Sequence, residues 1–175
     1  MSLLVLTALS VTAGCSSDSV NTSPKKSAGP SATKSVDPDA AEKAKVLQVY
    51  RSMWEARNRT YAEAKLDPKL GDYAGNKALS NIKVTLLYYQ DHGTVMTGEP
   101  VNSPNVTDID TSSTPMKATI TDCVDTSHYE EVDAKTGKEV PVGTGSRRHI
   151  YNATAINSDG TWIIWTTDID REQKC

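Results

Sequence analysis

Phenylalanine is absent from this chain of 175 residues, and cysteine occurs only three times. Without phenylalanine, the bulk of a core must come from three tryptophans and seven tyrosines, together with Leu, Ile and Val. The net charge is −3, and acidic and basic residues are interspersed without a basic stripe. This charge pattern argues against a surface that binds nucleic acid.

Short motifs of catalysis and nucleotide binding are also missing from the sequence. It contains no HExxH, no GxSxG, no P-loop and no GxGxxG. The three histidines stand far apart, and the acidic residues are too scattered to form a calcium loop. We therefore expect neither a metal ion nor a cofactor.

Two segments of unlike composition precede the part of the chain that can fold. Residues 1–14 are uncharged and mostly apolar, which is typical of an export signal and too short for a permanent membrane-spanning helix. Residues 15–36 are rich in Ser, Thr, Pro and Lys and cannot bury enough apolar surface to order themselves. We predict a signal peptide at 1–14, a disordered tether at 15–36 and one folded domain at 37–175.

The cysteines outside the N-terminal segment are Cys123, in a strand-like run, and Cys175, the last residue of the sequence. An exported chain meets an oxidising compartment, so we expect a disulfide between them. It would close a loop of roughly 50 residues and contribute about 4 kcal/mol in the chain-entropy model. The alternatives are a metal-binding pair, which lacks CxxC spacing and a histidine cluster, and a catalytic thiol, which would be poorly positioned at a terminus.

The first half of the domain shows helical periodicity. Asp37-Pro38 is a helix start signal, and the first helix is predicted to run to about Lys65. Apolar or amphipathic residues recur along it at helical spacing: Val46, Leu47, Tyr50, Met53, Trp54, Arg57 and Tyr61. Asp67-Pro68 predicts a short second helix. A third helix is predicted over 76–91, with Gly93 as its C-terminal cap.

From residue 94 the pattern changes to strands. They are predicted at 94–98, 105–111, 116–124, 129–132, 139–142, 147–156 and 161–168. Hairpin turns are expected at 133–137 and at 158–160. In the last strand, alternation predicts one face with Trp162, Ile164 and Thr166, and the other with Ile163 and Trp165. Helices followed by antiparallel strands predict an α+β fold, in which the N-terminal helices pack in the concave face of a curved, cone-like sheet.

The run Thr12-Ala13-Gly14-Cys15 resembles a bacterial lipobox, the cleavage and lipidation site of lipoprotein signal peptides. That resemblance implies cleavage before Cys15, a diacylglyceryl thioether on its sulfur and a further acyl chain on the new amine. Two or more chains hold a protein stably on a membrane. The alternative is an ordinary secretory peptide followed by a coincidental cysteine.

A second resemblance covers residues 37–175. It rests on the helix at 46–61, Tyr73-Ala74, Ala78-Leu79, Asp122-Cys123-Val124-Asp125, Gly160-x-Trp162 and the final Cys175. In order and spacing these residues resemble the nuclear-transport-factor-2-like superfamily of cystatin-like α+β cones. More narrowly, the chain is similar to small actinobacterial lipoproteins that carry this module after a tether. The superfamily includes both enzymes and binding modules, so the resemblance does not fix the function.

Enzymes of that superfamily place an Asp or His base, sometimes with Tyr donors, inside the cone. The resemblance implies these candidate pocket residues: Tyr50, Trp54, Asp122, Asp125, His128 and Tyr129. No catalytic motif of the superfamily maps onto the chain residue by residue. The interpretation we favour from the residues themselves is that Asp122 and Asp125 flank the disulfide strand as exposed or turn-forming carboxylates.

These observations predict a membrane-tethered extracytoplasmic module that binds or scaffolds and does not catalyse. Its partners would be the membrane, through a lipid on Cys15, and a protein, peptide or cell-wall component, but not nucleic acid. A small-ligand-binding protein or enzyme of the ketosteroid isomerase or polyketide cyclase type is one alternative. A subunit of an envelope secretion or conjugation complex is another. Because related modules often dimerise, a homodimer through the sheet is also expected.

Overall fold

The computed structural model describes residues 37–141 and 143–175. The predicted signal peptide at 1–14 and the tether at 15–36 lie outside these residues. Three helices come first: α1 (Ala40–Ala62), α2 (Leu70–Tyr73) and α3 (Asn76–His92). Six strands follow: β1 (Thr94–Gly98), β2 (Val101–Asp110), β3 (Met116–Asp125), β4 (Tyr129–Asp133), β5 (Arg148–Ser158) and β6 (Thr161–Asp170). The predicted α+β class is confirmed.

Helix α1 begins and ends a few residues inside its predicted limits. The Asp37 carboxylate accepts a hydrogen bond from the Asp39 backbone N–H at 2.9 Å, and this local turn delays the helix until Ala40. At the other end the backbone of Ala64 has a φ of 43°, which breaks the helical path after Ala62. The start signal was therefore correctly located, but its side chain closes a turn that precedes the helix.

Helix α3 matches its prediction closely because both of its ends are set by glycines. Gly75 precedes it in extended backbone, and Gly93 follows it with a left-handed φ of 65°. The Gly93 N–H donates to carbonyls of the last helical turn, as a C-terminal cap does. Ile82, Leu86 and Tyr89 are buried on its inner side.

The strands form two antiparallel sheets, a division that the sequence pattern did not predict. One has the order β2-β3-β5-β6, and the other pairs β1 with β4. The chain bends between β1 and β2 at Gly98, whose φ of 75° is strained for residues with a side chain. The strand predicted at 139–142 is only a single bridge from Glu139 to Val132 among the described residues.

The core lies between helices α1 and α3 and the inner face of the four-stranded sheet. Side chains of β3 alternate strictly: Ala118, Ile120, Asp122 and Val124 are buried, and the residues between them face outward. On β6, Trp162 and Ile164 point inward, as the alternation predicted. The aromatic side chains of α1 supply much of the bulk that phenylalanine would otherwise provide.

The outward residues of β3 include Cys123, which forms a disulfide with Cys175. The two Cα atoms are 5.8 Å apart, and the bond spans 52 residues. The predicted pairing is therefore present, and it fixes the C-terminal segment to the outer face of the sheet. Among residues 37–141 and 143–175, no helix combines the length and apolar character needed to cross a bilayer.

Candidate functional site

Asp122 is fully buried on the inner face of β3. Its carboxylate accepts hydrogen bonds from the Tyr50 hydroxyl at 3.0 Å, the Asn102 amide at 2.6 Å and the Ser103 backbone N–H at 2.6 Å. The favoured expectation of an exposed or turn-forming carboxylate therefore does not hold for Asp122. The reason is strand alternation, since Asp122 is in phase with the buried Ile120.

The Asp122 cluster connects three elements, and its carboxylate is closed to solvent. Burial, followed by the nearby Asp122 charge, raises the pKa of Tyr50, so its hydroxyl stays a donor. Three donors occupy the carboxylate, which leaves no exposed oxygen for a substrate. A general base needs direct access to the proton that it removes, so this arrangement suits a structural link between α1, β2 and β3.

Asp125 and His128 lie away from this cluster. Asp125 is on the outer phase of β3, and its carboxylate accepts from the Ser127 backbone N–H at 2.8 Å. Hydrogen bonds from Ser127 hold the pKa of Asp125 below its usual value. His128 is exposed in the turn that follows. The structure therefore gives Asp125 a turn-forming position and brings neither residue to the core.

Trp54 lies at a cavity of about 360 Å³ between α1, α3 and the last two strands. The apolar part of its wall includes Met53, Ile82, Val84 and Ile169. The charged residues that line it are Arg57, Asp168 and Arg171. This volume lies within the usual range for small-molecule sites. Of the predicted pocket residues, Trp54 is the one that lines this cavity.

Arg57 is the central cation of this site. Its guanidinium carbon lies 4.3 Å from the centre of the Trp54 ring and 4.7 Å from that of Tyr61, which is cation–π geometry. Trp54 in turn meets Tyr151 edge-to-face, with ring centres 5.3 Å apart. Within the described part of the chain, Arg57 makes no ion pair and only one long hydrogen bond, 3.5 Å to the Asn58 side chain.

Tyrosines lie near the Arg57 guanidinium. Burial by itself would lower the pKa of Arg57, but the pKa is raised because negative charge on the neighbouring tyrosines, which forms only at alkaline pH, favours the cation. Burial raises the pKa of Tyr129 to about 12 and also raises that of Tyr151. At neutral pH, Arg57 is therefore a permanent cation among neutral hydroxyl groups.

Two buried donors in this region have no hydrogen-bond partner among the described residues. They are Nε1 of Trp54 and the hydroxyl of Tyr129. Both residues were predicted as pocket residues, but Arg57, Tyr61 and Tyr151 were not. A signal for Arg57 was present, because it is the cation in an otherwise apolar helical stripe and has aromatic residues three positions before and four positions after it.

Three buried tyrosines and the partly buried Tyr151 predict loss of stability at alkaline pH. The pKa values of Tyr50, Tyr89, Tyr129 and Tyr151 are all raised in the folded chain, mainly by burial. A group with a raised folded pKa contributes stability that is complete below its unfolded value, about 10, and is lost as the pH rises through the folded value. The free energy of unfolding should therefore fall between about pH 10 and pH 12.

The measurement is tyrosinate absorbance at about pH 11, in the folded chain and in the chain unfolded by denaturant. The folded chain should absorb less, and Tyr129→Phe should reduce the difference between the two states. Equal absorbance in both states would contradict the burial of these hydroxyls.

Comparison with known proteins gives a likeness of fold. No protein-family model matches the chain, and no curated protein matches its sequence. The intermembrane space region of the chloroplast protein ARC6 is similar in structure, with a TM-score of 0.50 and 9% identity over 74% of this chain and 97% of that one. A domain of unknown function with a cystatin-like fold from Nostoc punctiforme PCC 73102 gives a TM-score of 0.42 and 12% identity, over 77% and 80%.

At 9% identity, the likeness to the ARC6 region shows a shared fold and nothing about activity. The architecture of this chain, with helices packed against an antiparallel sheet, is the class that the sequence predicted. Cleavage and lipidation at Cys15, and an actinobacterial origin, stay predictions.

Proposed function

We propose that this chain is an extracytoplasmic, lipid-anchored binding module that does not catalyse, and that the cavity around Arg57 is its binding site. The observation that carries the proposal is Arg57, a half-buried cation that lines a cavity of the size of a small-molecule site. Among the described residues it has no carboxylate partner. An arginine attracts and orients a ligand but does not exchange protons at neutral pH. The one buried carboxylate of the predicted pocket, Asp122, is enclosed by its own donors.

The enzyme alternative has less support from the geometry. A cyclase or isomerase of the predicted type would need an acid or base facing the cavity. Asp122 does not line it, and Asp125 and His128 lie elsewhere. Asp168 lines the cavity, but it is exposed and 3.6 Å from Lys77. These positions favour ligand binding over proton transfer.

The proposed location rests on Cys15 and on the disulfide. A bond between Cys123 and Cys175 is characteristic of an oxidising compartment. We propose that the mature chain begins at an acylated Cys15 on the outer face of the cell membrane, with residues 16–36 as the tether. An envelope protein or wall component as partner, and a homodimer through the sheet, stay predictions.

Membrane attachment should depend on the sulfur atom of Cys15. Changing Cys15→Ser should move the protein from the membrane fraction to the soluble fraction or the medium, because two or more acyl chains are lost. The matched control, Ser16→Ala, should stay in the membrane fraction. The intact mass of the extracted wild-type chain should correspond to a start at Cys15 plus about two or three acyl chains. An unacylated wild-type chain, or a Cys15→Ser chain that stays membrane-bound, would contradict the anchor.

Ligand binding is tested by native mass spectrometry of protein gently extracted from its own membranes. We expect a non-covalent small-molecule adduct that disappears on denaturation. Thr85→Trp, which places an indole on the cavity wall, should remove the adduct. The control Ser80→Trp, at an exposed position of the same helix away from the cavity, should retain it. A wild-type chain without any adduct would count against the cavity as a binding site.

A further inference from the structure

We propose that the ligand of this cavity is a small organic monocarboxylate with an apolar body, and that its carboxylate pairs with Arg57. This inference rests on the proposed function and specifies the ligand class for the same cavity. It follows from the charge and the wall composition of the site.

The charge argument begins from a comparison of the arginines. Arg59, Arg147 and Arg148 each pair with a carboxylate, at 2.7, 2.7 and 3.9 Å, whereas the exposed Arg51 and Arg171 have no ion pair among the described residues. Arg57 is half-buried, yet it pairs with none among the described residues. A desolvated guanidinium that stays charged is costly without an anion. Arg171 lines the same cavity, also without an ion pair among the described residues, and Asp168 lies 3.6 Å from Lys77, so the lining carries an excess of positive charge.

The chemistry of Arg57 suits a carboxylate in particular. Its guanidinium carbon lies over the Trp54 and Tyr61 rings at cation–π distances, and these rings do not replace a carboxylate as hydrogen-bond acceptors. The in-plane N–H groups of arginine match the two oxygens of a carboxylate.

The rest of the wall determines the remainder of the ligand. Met53, Ile82, Val84 and Ile169 offer apolar contacts, and the volume of about 360 Å³ suits a body of modest size. Asp168, the one acidic residue of the lining, is engaged with Lys77 at the exposed edge. The half-buried Arg57 beside an apolar wall favours one acid group on an apolar chain.

The test compares three probes with the same chain and different head groups: octanoate, octanol and octylamine. The protein is the full chain with Cys15→Ser, which removes the acyl groups and keeps every described residue. Quenching of tryptophan fluorescence reports binding, because Trp54 lines the cavity. We expect octanoate to bind at least about tenfold more tightly than octanol or octylamine, which is a free-energy difference of about 1.4 kcal/mol.

The variants assign the preference to Arg57. Arg57→Met, which keeps the length without the charge, should lower octanoate affinity to that of octanol. Arg57→Lys, which keeps the charge without the two-pronged geometry, should give an intermediate value. The control Arg51→Met, at an exposed position of the same helix, should leave affinity unchanged. Circular dichroism checks that each variant folds, and the head-group comparison in the parent chain stands even if Arg57→Met does not fold.

The outcomes separate this inference from the proposed function. Equal binding of octanoate and octanol, or preferred binding of octylamine, would overturn the carboxylate assignment and leave a binding cavity. No binding of any probe, with a native adduct still present, would also overturn the assignment alone. No probe binding and no native adduct would overturn both.

Discussion

Replacing Asp122 with alanine is expected to lower the free energy of unfolding by about 2–5 kcal/mol. The substitution removes the acceptor of three hydrogen bonds, from Tyr50, Asn102 and Ser103. Each buried donor left without a partner costs about 1–3 kcal/mol. Ser103 is exposed, so its backbone N–H can bond to water instead. Tyr50 and Asn102 therefore account for most of the loss. A domain with a total stability of about 5–15 kcal/mol would be severely weakened.

Urea unfolding of the parent chain and of Asp122→Ala measures this loss. Asp122→Asn, which retains one acceptor oxygen, should have a free energy of unfolding between those of the parent chain and Asp122→Ala. The control Asp108→Ala, at an exposed position on β2, should change the stability by no more than about 0.5 kcal/mol. In a double-mutant cycle, Asp122→Asn and Tyr50→Phe should couple by more than about 0.5 kcal/mol. An Asp122→Ala chain as stable as the control would show that the cluster contributes nothing to the fold.

Removing the Cys123–Cys175 disulfide should cost about 4 kcal/mol at the upper end. The bond closes 52 residues, and in the chain-entropy model its effect grows with the logarithm of that length. The loss arises in the unfolded chain, which gains conformational freedom when the crosslink is absent. The folded sheet should keep its register because its ladders do not depend on the bond.

The measurement compares unfolding of the parent chain with and without reductant. Cys123→Ala combined with Cys175→Ala should match the reduced parent, and reductant should not change it further. The intact mass of the parent should rise by about 2 Da on reduction, since two thiol hydrogens are gained. A parent chain with the same free energy of unfolding with and without reductant would contradict a stabilising disulfide.

The features predicted correctly from the sequence are those with a local signal. The period of α1 and α3, the left-handed Gly93 and the alternation of β6 are all recorded within a few neighbouring residues. The Cys123–Cys175 pairing was also predictable, because only two cysteines lie in the folding part of the chain. Such signals are short-range, so they identify elements better than they identify how elements meet.

The candidate site depends on contacts that no local pattern records. Tyr50 and Asp122 are 72 positions apart, and their hydrogen bond exists only once α1 lies across β3. Strand alternation from Ile120 would have put Asp122 inside, but the polarity of the side chain favoured the surface interpretation. The sequence placed Arg57 in an amphipathic helical stripe. That stripe does not record which distant residues pack beside Arg57, so it could not show that the described residues include no counterion for it. The separation of β1 and β4 into their own sheet likewise follows from long-range pairing.

The span of the disulfide has a consequence for how an exported chain would mature. Its two cysteines enclose β4, β5 and β6, so the bond can form only after all three strands have reached the far side of the membrane. The reduced precursor lacks the stabilisation of about 4 kcal/mol that the disulfide provides. It therefore unfolds more easily, and a translocation channel accepts the unfolded state. The same bond then opposes unfolding after delivery, so oxidation would make the passage effectively one-way.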